Sequence, residues 1–96
     1  MKIIWTQPAA DDLDGIYQYI RQDSEYYAKK VVRDIVTYIE RLVDQPEMGR
    51  VVPEKNDEGL REIFMDPYRI IYRPTAERIT ILVIIHGRRD LSKIQV

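Results

Sequence analysis

Apolar residues recur along this 96-residue chain with two different periods, and the change between them divides it in half. Leu13, Ile16, Tyr17 and Ile20 fall at i, i+3, i+4 and i+7, the spacing of one helical face. Thr6 stands where an N-cap belongs, Pro8 sits in the first turn, and Asp11 and Asp12 lie near the positive end of the dipole. This first helix is predicted to end between Arg21 and Asp23. Asp23 or Ser24 then caps a second helix, whose Ala28, Val31, Val32, Ile35, Ile39, Leu42 and Val43 hold helical spacing for about four turns. Pro46 and Gly49 stop it. From residue 60 onward the period becomes that of strands. Residues 60–65, 68–73 and 79–85 are rich in isoleucine, tyrosine and valine, and short turns at Asp66-Pro67 and residues 74–77 make them antiparallel neighbours. Residues 2–5 read as one more short strand before the helices, and residues 50–59 read as a loop.

The order is therefore β-α-α-β-β-β. It predicts a two-layer α+β fold, a helical hairpin packed on one face of a small, mainly antiparallel sheet. Residues 81–85 are apolar on both faces, as expected of a central strand covered on both sides. With the helices on one face, the other face is expected to be left free for a partner. Residues 1–96 form one domain on this reading.

Composition narrows the function classes. There is no cysteine and only one histidine, so disulfides, thiolate sites and multi-histidine metal sites are excluded. No phosphate-binding loop, dinucleotide fingerprint or nucleophile elbow is present, and no cofactor is expected. The early acids Asp11, Asp12 and Asp14 are explained by the helix dipole, so no metal is expected there. The longest apolar run is strand-sized, and residues 1–5 lack the apolar core of a signal peptide, so a cytoplasmic protein with no membrane contact is expected. The net charge is −1 with pI ≈ 5.8, far from the basic balance of a general nucleic-acid binder. It is uneven: residues 1–48 carry six Lys/Arg against nine Asp/Glu, and residues 49–96 carry nine against seven. An anion-binding surface belongs in the second half.

That half holds the candidate chemistry. Arg61, Arg69, Arg73, Arg88 and Arg89 offer planar forks that fit phosphate or carboxylate oxygens. Arg69 and Arg73 are four apart on one strand and share a face with Ile71 between them. The alternative is ordinary pairing with Glu54, Glu62, Asp66 or Glu77. His86 closes the last strand, where it serves as acid or base near neutral pH or makes a structural hydrogen bond. A metal-free nuclease set is available on paper: Glu54 or His86 as base, His86 as acid, and Arg61, Arg69 and Arg88 as charge stabilisers. Tyr68 and Tyr72 stack on bases if exposed; otherwise, like most of Tyr17, Tyr19, Tyr26, Tyr27 and Tyr38, they are core or interface rings.

Arg61-Glu62, Tyr68-Arg69-Ile70-Ile71-Tyr72 and His86-Gly87-Arg88, preceded by Gly49-Arg50 with Pro53-Glu54, resemble the RelE/ParE superfamily of bacterial toxins over nearly the whole chain. The resemblance implies the toxin half of a type II toxin–antitoxin module, neutralised by a cognate antitoxin and touching operator DNA only through that complex. ParE-like members bind DNA gyrase and have no catalytic activity of their own. RelE-like members cut mRNA on the ribosome. Here the slightly acidic balance, and a tail 91–96 without tyrosine or histidine, lean toward the ParE-like style. The resemblance then makes Arg61, Arg69, Arg73, Arg88, Arg89, Tyr68 and Tyr72 binding residues for antitoxin or target. His86, Arg69, Arg61, Arg88 and Glu54 are catalytic only in the RelE-like case. A degenerate toxin that merely binds its antitoxin is the third reading.

Overall fold

A computed structural model describes residues 1–96. The elements are β1 (Lys2–Trp5), α1 (Gln7–Arg21), α2 (Glu25–Glu40) with a 3-10 turn (Arg41–Val43), β2 (Arg50–Val51), β3 (Arg61–Met65), β4 (Tyr68–Pro74), β5 (Arg78–His86) and a final 3-10 turn (Leu91–Lys93). Local chemistry starts both helices. The Thr6 hydroxyl accepts from the amide of Ala9, and the Ser24 hydroxyl accepts from that of Tyr27. Ser24 rather than Asp23 is thus the second cap.

The five strands form one sheet in the order β1-β5-β4-β3-β2. β1 runs parallel to β5, and every other pair is antiparallel; the helical hairpin carries the chain from β1 at one edge of the sheet to β2 at the other. Along β4–β5, Ile71 faces Val83 and Tyr72 faces Ile81, so Leu82 is the extra residue of a bulge. The α+β architecture expected from the periodicity is the one observed. The strand at Arg50–Val51 lies in a segment whose charges and turn residues read as loop.

Apolar side chains form two cores. Ala9, Ile35, Ile39 and Leu42 of the helical layer pack on Ile63, Ile70, Tyr72, Ile79, Ile81 and Ile84. On the opposite face Ile71, Val83 and Ile85 are covered by Val52 and Leu60 from the segment before β3, and by Leu91, Ile94 and Val96 from the chain's end. The expectation of a free sheet face is therefore corrected. Two irregular segments fold over it, and β5 is buried on both faces as its composition requires. No helix is long and apolar enough to cross a membrane.

Candidate functional site

The face beneath the irregular segments is organised around Arg69, which is only 5% exposed. Its Nη1 and Nη2 donate to the two carboxylate oxygens of Glu54, each at 2.7 Å. Its Nε and Nη2 donate to Glu62 of the neighbouring strand, the former at 2.9 Å, and Nη1 also reaches the Arg89 carbonyl at 3.1 Å. Glu62 is 3% exposed and takes a further bond from Arg50 Nε at 2.6 Å. Glu54 accepts the amide of Leu91 as well. One guanidinium thus ties β4 to β3, to the segment before β3 and to the chain's end, and no buried polar side-chain atom is left without a partner.

The same contacts fix the ionisation of Glu54. The Arg69 guanidinium holds its carboxyl down at about 2, against an ordinary 4.5, and raises the pKa of Arg69 in return. A carboxyl depressed by folding contributes stability that is fully present above its unfolded value and is lost as pH falls through its folded value. Urea midpoints measured between pH 5 and about 2 should therefore decline in the native protein. In Glu54→Gln that part of the decline should be missing.

The remaining candidates separate. Arg73 shares the face of Arg69, and its Nη2 pairs with Asp57 at 2.8 Å. Arg61 stands opposite Tyr72 in the register, so it points to the helical face, where its Nη1 donates to the Gly49 carbonyl at 2.7 Å. Tyr72 is fully buried; its hydroxyl accepts from the Gly49 amide and donates to the Pro46 carbonyl. Burial is the main reason its pKa is raised. Tyr72 is a core ring, which corrects its placing among the binding residues. Tyr68 is half-buried and lines an apolar groove of about 480 Å³ with Ile20, Tyr27, Val31, Met65 and Pro67. His86 lies opposite Tyr68, on the helical face and away from Arg69, and its Nδ1 accepts the amide of Arg88. Arg88 and Arg89 are exposed beside it and enter no ion pair.

The arginines therefore do not form one cluster. Arg69 and Arg73 are engaged in pairs, Arg61 faces the other layer, and Arg88 and Arg89 alone remain free at the end of the sheet. A carboxylate held near 2 is a weak base at neutral pH, so Glu54 is poorly placed for proton abstraction. Two residues escaped sequence reasoning. Asp12 accepts the amide of Ile84 through Oδ2 at 2.9 Å, covering β5 beyond the end of β1, and burial raises its pKa. Phe64 is 55% exposed on β3; the only available signal was its place opposite Arg69, and that needs the register.

The chain and its fold have counterparts among known proteins. The family model described as the ParE toxin of the type II toxin–antitoxin system parDE matches residues 3–91. The chain belongs to the ParE toxin family. Toxin ParE3 of Caulobacter vibrioides is 29% identical to it over 94 residues, spanning 95% of this chain and 91% of that protein. Toxin RelE2 of the same organism is 32% identical over 89 residues, spanning 92% and 97%. Among solved structures, the chromosomal ParDE TA system from P. aeruginosa matches with a TM-score of 0.74 and 31% identity, over 90% of this chain and 95% of that one. The RelBE2 toxin–antitoxin complex of Mycobacterium tuberculosis matches with a TM-score of 0.66 at 19% identity, a likeness of fold. The ParE-family chain is thus a ParE/RelE-type toxin of a toxin–antitoxin system, the family its motifs resemble.

Proposed function

We propose that this ParE-family toxin arrests growth by binding DNA gyrase, without catalysis of its own, and that a cognate antitoxin neutralises it. The observation that carries this reading is the state of the acid–base candidates. Glu54 is clamped by Arg69, and His86 stands alone on the other face with its Nδ1 engaged. General acid–base cleavage of RNA needs both a base and an acid within hydrogen-bond reach of the reacting atoms. The net charge of −1 also argues against the counter-ion release that drives ribosome and RNA binding.

The test is induction of the gene without its antitoxin, with DNA and protein synthesis pulse-labelled over the first minutes. DNA synthesis is expected to stop first while translation persists. Early collapse of translation would instead favour the ribosome-dependent nuclease, which the exposed His86 and Arg88 at one sheet end support. No growth defect would leave a protein that only binds its antitoxin.

For the antitoxin contact, the free guanidiniums matter more than the paired ones. Arg88→Glu is expected to weaken the hetero-complex about tenfold or more while leaving the melting temperature unchanged, as measured by calorimetry on the purified pair. Arg69, buried in its own ion pairs, is a determinant of folding and not of this surface.

A further inference from the structure

Two irregular segments cover Ile71, Val83 and Ile85 on the face away from the helices: residues 52–60 before β3, and residues 87–96 at the chain's end. Each is closed mainly on itself. In the first, the Val52 amide donates to the Leu60 carbonyl and the Leu60 amide to that of Asp57; in the second, the Ile94 amide donates to the Leu91 carbonyl. Neither joins a ladder of the sheet, yet Val52, Leu60 and Leu91 are each 1% exposed or less.

What ties the two segments down is shared. Beyond the turn at His86–Arg89, the hydrogen bonds that leave the chain's end go to Arg69 or to the other segment. Arg69 Nη1 donates to the Arg89 carbonyl, the Leu91 amide donates to Glu54 at 3.0 Å, and Lys55 Nζ donates to the Ile94 carbonyl at 2.8 Å. The segment before β3 is held in turn by Glu54 on Arg69 and, more weakly because both groups reach water, by Asp57 on Arg73. Glu54 belongs to both sets. If the chain's end lifted alone, Glu54 would lose a donor, Lys55 its acceptor, and Val52 and Leu60 their cover. If the segment before β3 lifted alone, the Leu91 amide would be stranded and the same apolar residues bared. Either half-open state forfeits the shared contacts while freeing only half of the chain. When both lift, the first core keeps the helices on the sheet, so joint opening lies below global unfolding.

We propose that residues 52–60 and 87–96 open and close as one unit, a double strap that Glu54 latches on Arg69. Its fixed ends are visible. On one side the Gly87 amide is anchored to the Pro67 carbonyl at 2.7 Å; on the other β2 is paired to β3 through Arg50 and Glu62. Arg88 and Arg89 lie on the moving side of Gly87. The free cations therefore stand beside His86 only while the strap is shut, and opening bares the apolar strip of Ile71, Val83 and Ile85 in the middle of the sheet.

The test is hydrogen exchange of the full-length protein, followed by NMR at urea concentrations below the unfolding transition. The amides of Val52, Leu60, Leu91 and Ile94 are expected to report one opening free energy and one urea dependence, both smaller than those of the α2 and β4–β5 amides. Ile94→Ala trims only the chain's end. It should nonetheless speed exchange at Val52 and Leu60 by the same factor as at Leu91, on the order of fivefold. Ile39→Val, a change confined to the first core, should speed the α2 amides and leave the four strap amides as they are. Different opening free energies in the two segments, or an Ile94→Ala effect confined to the chain's end, would overturn the proposal. So would exchange of all four amides only together with those of α2, or an absence of protection in either segment.

Discussion

Arg69→Ala is expected to cost about 3–5 kcal/mol in urea unfolding, a large share of the stability of a domain this size. The loss does not come mainly from the Coulomb energy of the ion pairs. It comes from Glu62, 3% exposed in the native fold, which loses its principal partner and whose remaining contact, Arg50, lies mostly in water. Glu54 suffers less, because its side chain is 22% exposed and water reaches it. The segment before β3 and the chain's end lose their common anchor at the same time, since Glu54 holds the Leu91 amide and Arg69 holds the Arg89 carbonyl. Arg69→Met with Glu62→Leu is expected to recover most of the deficit, because apolar replacements of a buried pair are often neutral or stabilising. If Arg69→Ala unfolds within about 1 kcal/mol of the native protein, the guanidinium is not what holds these segments together.

Gly49→Ala is the second large effect, and its cause is space. Gly49 has no left-handed backbone angle to protect. An added Cβ would overlap the Glu62 backbone carbonyl oxygen and lie 2.7 Å from the Tyr72 hydroxyl. The hydroxyl can rotate away with its ring, but the carbonyl belongs to the β2–β3 pairing and moves only if the strands part. A cost of about 1–3 kcal/mol or more is expected from thermal or urea unfolding. Tyr72→Phe separates the two causes. It should cost about 1–3 kcal/mol by leaving the buried Gly49 amide unsatisfied, yet it should not rescue Gly49→Ala, because the carbonyl clash remains. Rescue in the double variant would assign the clash to the hydroxyl instead.

The helices were legible because everything that makes them is local: a hydroxyl at residues 6 and 24, and apolar residues three and four apart. The strands of the second half were legible from their composition and short turns. The second core was not. Val52, Leu60, Leu91, Ile94 and Val96 are single apolar residues among charges and turn formers, and no period marks them as buried. Their burial follows from where Arg69 pulls Glu54 and Arg89, and a buried ion pair looks in sequence like any surface pair. The division of the arginines was within reach. Pairing Met65 with Tyr68 across the Asp66-Pro67 turn puts Arg61 opposite Tyr72 and Phe64 opposite Arg69, and that parity sends Arg61 and Arg69 to different faces. Grouping residues by type, without counting across the turn, merged two faces into one site.

The parallel pairing of β1 with β5 has a consequence for how a cell makes this chain. Thr6 is bonded to the carbonyl of Ile81, a partner synthesised 75 residues later. The helical hairpin leaves the ribosome well before the central strand that it must cover and against which the first strand must lie. Contacts of such long sequence separation form slowly because the loop between them must close first. The nascent chain therefore has helices without a floor until residues 78–86 have emerged. The fold is thus assembled around a strand for which both the first strand and the helices have to wait.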